Sequence, residues 1–369
     1  MQTQWRALCD EFGPSTVVLV RDPSAGMEGV VVVDDTSAGP AIGGVRMAPC
    51  LTVEEVARLA RAMTLKNAAA GLPHGGGKAG IIADPTIDPV HKQRIVRSFA
   101  RAIRDLTDYV PGPDMGTDET CMAWIRDEIG RAVGLPAVLG GIPLDQIGAT
   151  GFGLAVCADA VEASGHLRIS GRRVAIQGFG AVGQHAARFL ARRGVRLVGV
   201  SDVGGAVVNP AGLDLDQLLA FKAGGRSVGE FPAGQRIPRD DLIGYDCDIL
   251  IPAARPDVLT ADNADAVRAK VVLQGANIPA TRDAEQLLHK RGVLSVPDFV
   301  ANAGGVICAA VEYQRGTRAQ AFALISERIR ANTLEVLTRA REQDVPPRQA
   351  AEELAWQRVQ EARSYRRRA

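Results

Sequence analysis

The sequence predicts an α/β protein divided into two domains. Three observations carry this. Residues 173–200 read as strand, glycine turn, helix and strand: Arg173-Val174-Ala175-Ile176-Gln177 is a buried apolar run, Gly178-Phe179-Gly180-Ala181-Val182-Gly183 is a turn, residues 184–193 continue as a helix and 195–200 form the next strand. Composition changes sharply over residues 140–153, GGIPLDQIGATGFG, as at a hinge between domains. The 369 residues are also enough to bury more than one core.

The first domain, residues 1–145, mixes strands with helices. Residues 15–21 and 29–33 are β-branched runs bounded by Pro, Ser and Gly. Asp34 through Pro40 breaks the chain before Ala41-Ile42-Gly43-Gly44-Val45-Arg46, whose glycine pair lets backbone N–H groups approach an anion. The capping box Thr52…Glu55 opens a helix that sets Val56, Leu59, Ala60, Met63, Lys66, Asn67 and Ala70 on one inward stripe. Gly71 and Pro73 end it, and Lys78 closes the run Gly75-Gly76-Gly77. Two ammonium groups then converge on one buried region, where burial and like-charge repulsion favour the neutral form of one of them. The plain alternative is a pair of surface lysines flanking a flexible glycine turn. Residues 81–83 read as a strand and 90–106 as a helix with Ile95, Phe99, Ile103 and Leu106 on one face. Residues 109–117, too rich in Pro and Gly for an element interior, form a loop carrying Asp114; an isolated loop aspartate is ordinarily a turn former or a cap.

The second domain, residues 146–334, opens with Thr150 placed to cap a helix reaching Ala163. The glycine turn then has the character of a dinucleotide site in a Rossmann-type fold. Gly178 permits the tight bend, Gly180 lets a pyrophosphate reach the backbone, Gly183 lets helix and strand pack closely, and Ala181 and Val182 begin the helix whose N-terminus holds the phosphates. Asp202 ends the second strand at the spacing of a ribose-binding acid. Further strands end in Pro252-Ala253-Ala254, Gly275-Ala276-Asn277 and Pro297, at the carboxyl ends where an open parallel sheet binds its ligand. Asn302-Ala303-Gly304-Gly305 opens a helix to residue 315, followed by helices at 318–337 and 347–366; from about residue 335 the chain is suited to pack back on the first domain.

With 43 basic against 42 acidic residues, net charge +1, nothing points to nucleic acid or an anionic membrane, and Arg366-Arg367-Arg368 reads as a solvated helix end. The six cysteines form no CxxC and no Cys/His cluster, so neither a metal site nor a disulfide framework is expected. Arg6, Asp10 and Glu11 charge the N-terminus and no 18-residue apolar segment follows, which predicts a soluble cytoplasmic protein.

Several ordered motifs resemble one family, the amino acid dehydrogenases that act on glutamate, leucine, phenylalanine or valine. They are Met63-Thr64-Leu65-Lys66-Asn67-Ala68, Leu72-Pro73-His74-Gly75-Gly76-Gly77-Lys78, Gly112-Pro113-Asp114-Met115-Gly116-Thr117, Ala149-Thr150-Gly151, the glycine turn, Pro252-Ala253-Ala254, Gly275-Ala276-Asn277 and Asn302-Ala303-Gly304-Gly305. The resemblance implies two domains flanking a cleft, an N-terminal α/β substrate and oligomerisation domain and a Rossmann-type domain, hinged so that closure brings nicotinamide onto substrate, usually within an oligomer. It implies oxidative deamination of an L-amino acid. Lys66, the Gly44 backbone and Asn277 would hold the α-carboxylate, Lys78 would activate water as general base, and Asp114 would exchange a proton with the amine. Thr150 and Asn302 would steer the carboxamide and ribose of the cofactor, with Ala253 and Ala254 also in contact.

NAD is expected ahead of NADP, because Asp202 can accept from the ribose hydroxyls and repels a 2′-phosphate, although Arg196 or Lys222 nearby would offset that repulsion. Glutamate-specific members carry a lysine where this chain has Ile42 and a hydroxyl residue where it has Ala309; with Gly112 also small, an apolar substrate is expected, phenylalanine ahead of leucine and valine. A protonated His74 lining the pocket would weaken that reading. The alternatives are a glutamate dehydrogenase with an atypical pocket and an inactive nucleotide-binding regulatory protein.

Overall fold

The structure, a computed structural model, describes residues 9–366; Arg6, Arg367 and Arg368 lie outside them. The chain forms two compact units. The first runs through Leu144 and takes in Val306–Ala321 and the chain from Ala355 onward; the second comprises Asp145–Gly305 and Phe322–Leu354. The return to the first unit therefore starts at Ala355, not near residue 335, and Val306–Ala321 joins it as well.

In the first unit β1 (Thr16–Asp22), β2 (Met27–Asp35), β3 (Ala41–Ala48), β4 (Gly75–Ile82) and β5 (Tyr109–Pro113) form one sheet in the order β1-β2-β4-β3-β5. β1, β2 and β4 pair antiparallel, while β3 runs parallel to both β4 and β5. The alternation along β2 sends Val30 and Val32 toward Val56, Ala57 and Ala60 of α1 (Val53–Ala69). Val31 and Val33 face the larger core with Ile95 and Phe99 of α2 (Pro89–Ala102) and Met122 and Ile125 of α3 (Glu119–Ile129).

Three sequence readings change here. Gly75-Gly76-Gly77-Lys78 is not a turn but the start of β4, inside the sheet. Its glycines are demanded by close packing: a Cβ would come within 1.7 Å of Asp35 O at Gly75, 2.0 Å of Thr64 N at Gly76 and 2.9 Å of Tyr109 Cδ2 at Gly77. Residues 109–113 are a strand, β5, and Pro111 and Pro113 are tolerated because it lies at the sheet edge. The stripe of α1 changes in part. Thr52 caps it as expected, but Thr64 and Asn67 are its buried polar residues and Lys66 is half-buried. Thr64 Oγ1 donates to Asp34 Oδ2 at 2.6 Å and Asn67 Nδ2 donates to Gly75 O at 2.6 Å, so these two polar groups have the partners that permit burial.

The second unit begins within α4 (Leu144–Ile147), at Asp145, and continues with α5 (Ala149–Ala163). Its sheet comprises β6 (Arg173–Gln177), β7 (Arg196–Asp202), β8 (Gly205–Val208), β9 (Gln235–Ile237), β10 (Ile249–Pro252), β11 (Val271–Leu273) and β12 (Leu294–Val296), in the order β12-β11-β10-β6-β7-β8-β9. The run from β12 to β7 is parallel, and β8 and β9 close one edge antiparallel. The strand order reverses at β6, flanked by β7 and β10, which puts a ligand crevice at its carboxyl end. The remaining helices are α6 (Ala181–Ala191), α7 (Leu215–Ala223), α8 (Arg282–Lys290), α9 (Asp298–Ala301), α10 (Gly304–Tyr313), α11 (Arg318–Gln343) and α12 (Pro347–Ser364). Thr150 is not a cap: left-handed Gly148, φ 72°, is the N-cap of α5, and Thr150 lies within its first turn. Among the described residues no helix is long and apolar enough to cross a membrane.

Candidate active site

In the first unit the sheet brings Lys78 on β4 against Asp114, just past β5. Lys78 is 6% exposed, and its Nζ lies 2.6 Å from Asp114 Oδ2. Arg46 on β3 reaches the same oxygen from Nε at 3.3 Å and pairs through Nη1 with Glu55 of α1 at 2.8 Å. Burial alone would raise the Asp114 carboxyl, but the Lys78 ammonium and Arg46 guanidinium outweigh it and hold the group below the usual carboxylate value. The aspartate is fixed as well as charged. Its N–H donates to Thr117 Oγ1 at 3.0 Å, Thr117 Oγ1 donates to Val45 O at 2.7 Å, and Tyr109 Oη donates to Gly43 O at 2.8 Å. Gly44 is required here, since a Cβ would stand 2.7 Å from Asp114 Cβ. The isolated loop aspartate of the sequence is thus half of a buried ion pair. Sequence reasoning missed Arg46 and Thr117; the two-residue spacing of Gly44 and Arg46 on one strand, which puts both on one face, was the available signal.

Nearby in the same unit, Ile42, Val110, Val133 and Ala309 pack into one small apolar cluster. A Cβ on Gly112 would meet Val133 Cγ2 at 3.2 Å, so three of the proposed pocket positions, Ile42, Gly112 and Ala309, come together. Val110 and Val133 were not foreseen. Ile42 and Val110 are register partners between β3 and β5, a relation invisible while 109–117 read as a loop. One turn beyond Ala309, buried Glu312 accepts from Leu135 N at 3.0 Å and Ile142 N at 2.8 Å, fixing the segment that follows Val133. His74 is packed: its ring meets Tyr313 edge-on at 5.4 Å, Nδ1 lies 3.1 Å from Pro40 O, and burial pushes its pKa down. A neutral imidazole donates from Nδ1 to that carbonyl and offers no positive charge.

In the second unit the glycine turn sits at the β6 switch point. Gly178 has φ 98°, and a Cβ there would stand 2.6 Å from Ala254 N; one on Gly183 would stand 2.1 Å from Gly178 O. Gly180 faces open space and is the N-cap of α6 without a side-chain cap, leaving the first-turn N–H groups at Ala181 and Val182 for an anion. Ala253 N donates to Gln177 O at 2.6 Å, which seats Ala253-Ala254 beside the turn. Three buried polar atoms at this sheet end, Gln177 Oε1, Ser201 Oγ and Asn302 Oδ1, have no protein partner. Uncapped N–H groups, a cradle a Cβ would fill and orphaned acceptors fit a dinucleotide. Asn302 Nδ2 donates to Gly275 O at 3.3 Å, Ala276 O at 3.0 Å and Asn277 Oδ1 at 3.1 Å, joining two more of the proposed residues.

Asp202 is engaged by donors of its own unit: Lys222 Nζ at 2.5 Å, Ser227 Oγ at 2.6 Å, Gly204 N at 2.9 Å and Val228 N at 3.0 Å all donate to its carboxylate. Burial would raise its pKa, but Lys222 and Ser227 hold it below the ordinary value. Lys222 was the neighbour named as able to offset its charge.

Residues 14–131 match the Glu/Leu/Phe/Val dehydrogenase dimerisation domain, and residues 140–367 match the Glutamate/Leucine/Phenylalanine/Valine dehydrogenase model. The chain is 37% identical over 323 residues to a glutamate dehydrogenase of Aeropyrum pernix, covering 82% of this chain and 77% of that one. It is 38% identical over 292 residues to the NADP-specific glutamate dehydrogenase of Saccharolobus shibatae, covering 76% and 69%. Its structure is similar to that of the hetero-hexameric glutamate dehydrogenase from Thermus thermophilus in its Leu-bound form, with TM-score 0.86, 32% identity and coverage of 96% of this chain and 91% of that one.

Proposed function

The chain belongs to the glutamate/leucine/phenylalanine/valine dehydrogenase family and is an amino acid dehydrogenase using NAD or NADP, and within that family we propose that it oxidatively deaminates an apolar L-amino acid. The observation that carries this reading is the cluster of Ile42, Val110, Val133 and Ala309, in which all the side chains are apolar. A second reading, glutamate as substrate, is favoured by the two relatives named above, both glutamate dehydrogenases.

Lys66 and the Gly44 N–H hold the α-carboxylate, with Asn277 as a further donor. Asp114, kept as a carboxylate by Lys78 and Arg46, takes a proton from the substrate ammonium so that the nitrogen lone pair can assist loss of hydride from the α-carbon. Nicotinamide, when bound, accepts that hydride. Once Asp114 is protonated, Lys78 no longer faces a carboxylate and gives up its ammonium proton to solvent; the neutral amine then takes a proton from the water that attacks the resulting iminium carbon, and Asp114 returns its proton to the departing nitrogen. The backbone of Gly178, Gly180, Ala181, Val182 and Gly183 would hold the pyrophosphate, with Thr150, Ala253, Ala254 and Asn302 toward the ribose and carboxamide. Assembly into a homo-oligomer through the first unit belongs to the same proposal, since residues 14–131 match the family's dimerisation domain.

The test is a panel of L-amino acids assayed by absorbance with NAD and with NADP. Reduction with phenylalanine, leucine or valine above that with glutamate supports the proposal, and turnover of glutamate alone establishes the second reading. Lys66→Ala is expected to raise KM far more than it lowers kcat, because a carboxylate grip is made equally in ground and transition states; an unchanged KM places the carboxylate elsewhere.

For the coenzyme we place NAD ahead of NADP, by a modest margin. A 2′-phosphate bound beside Asp202 would meet a like charge, which the Lys222 ammonium compensates in part. Lys222→Met should therefore widen the NAD preference by about fivefold in kcat/KM, the equivalent of roughly 1 kcal/mol for a partly exposed ion pair. A ratio that stays constant would detach Asp202 from coenzyme choice.

A further inference from the structure

Ile278, one residue beyond Asn277, has φ 50°. A β-branched side chain in the left-handed region is an outlier that surrounding contacts must hold in place. Here they do. Ile278 N donates to Asp298 Oδ2 at 2.8 Å, and Ile278 O accepts from Asp257 N at 2.9 Å. One helical turn after Asp298, Asn302 grips the same loop by Gly275 O, Ala276 O and Asn277 Oδ1. With its Oδ1 committed in this way, the other arm of the Asn277 carboxamide is an NH2 donor, the polarity that a carboxylate requires.

The second oxygen of Asp298 accepts from Arg348 Nη2 of α12 at 2.7 Å. Arg348 Nη2 also donates to Gln274 Oε1 at 3.1 Å and its Nε to Glu285 Oε2 at 2.5 Å, while Gln274 Nε2 donates to Glu285 Oε1 at 2.5 Å and Ser295 Oγ at 3.1 Å. The ions are nearly dry: the side chains of Arg348, Glu285 and Asp298 are 13%, 4% and 8% exposed. One planar guanidinium thus satisfies two buried carboxylates and a carboxamide, a geometry an ammonium cannot reproduce. An anchor for α12 alone has no need to end on the one N–H that a strained residue beside Asn277 must place.

We infer that Arg348 is a positioning residue for the amino-acid substrate, holding Asp298 so that Ile278 keeps its left-handed conformation and Asn277 keeps its aim. The inference rests on the reading above that Asn277 donates to the substrate α-carboxylate. Arg348→Lys keeps a positive charge and loses the fork; it is expected to raise the amino-acid KM by about tenfold while kcat changes less than about threefold. Dissociation of NADH, followed by its fluorescence, should be unchanged. Ile278→Gly added to Arg348→Lys should restore most of the lost KM, because glycine adopts the left-handed conformation without the clamp. If Arg348→Lys does not fold, Asp298→Ser, which withdraws the acceptor from Ile278 N, is expected to show the same KM defect and the same rescue. An unaltered KM, or equal losses in kcat, KM and thermal stability that Ile278→Gly fails to rescue, makes the network structural only and overturns the inference. A wild-type protein that reduces neither NAD nor NADP with any amino acid defeats the functional reading first, and takes the inference with it.

Discussion

Lys78→Ala is expected to lower kcat by at least about two to four orders of magnitude, the usual worth of a positioned acid–base group, with NADH still bound. Two effects act together. The variant removes the group assigned to deprotonate the attacking water, and it removes the nearest counter-charge of Asp114, leaving Arg46 at 3.3 Å as its cationic partner. Burial, the largest influence on that carboxyl, then has less opposing it, so Asp114 shifts toward its protonated form and loses capacity to take the amine proton. On the proposal that the glycine turn of the second unit holds the nucleotide, a fluorescence titration with NADH should be unchanged. The same pair predicts a stability effect with a definite sign. A depressed folded-state pKa contributes stability that is present above the unfolded value of 3.8 and is lost as pH falls through the depressed one. With less depression in the variant, its acid unfolding should begin at higher pH than in the wild type. A retained kcat would remove Lys78 from the chemistry.

How much of this was legible depended on whether the reason for a residue lay near it in the chain. The glycine turn was fully readable because its strand, bend and helix are contiguous, and Gly178, Gly180 and Gly183 each serve a neighbour within that unit. Lys78 and Asp114 were identified by resemblance, while their pairing depends on a sheet that sets β4 and β5 on either side of β3. Gly75 to Gly77 hid a strand because glycine carries no strand propensity; its reason is the space taken by Asp35, Thr64 and Tyr109, which converge from distant positions. Asp202 had the right spacing for a ribose contact, and the donors that occupy it, Lys222, Ser227 and Val228, come from a helix and turn that follow later. The α1 stripe was right at Val56, Ala60, Asn67 and Ala70 and missed Thr64, which is buried by virtue of a tertiary hydrogen bond to Asp34 that no helical periodicity contains.

Substrate choice should show the other large effect, a kcat/KM for L-phenylalanine and L-leucine above that for L-glutamate by about a hundredfold or more. Glutamate would bring a second carboxylate against Ile42 and Ala309, where glutamate-specific members of the family carry a lysine and a hydroxyl. Burying that charge without a partner costs several kcal/mol, whereas an apolar side chain gains roughly 1.5 to 3 kcal/mol from the same burial. His74 offers no rescue for the carboxylate, since burial favours its neutral form and its ring packs on Tyr313. Ile42→Lys should therefore move the preference toward glutamate by supplying the missing counter-charge, and Ala309→Ser in the same chain should move it further. Size is governed separately. A Cβ at Gly112 would press on Val133 Cγ2 at 3.2 Å, so Gly112→Ala should narrow the pocket and cost phenylalanine more than leucine. A wild-type ratio below one, or an Ile42→Lys variant with no gain on glutamate, would mean that the substrate side chain lies away from Ile42 and Ala309.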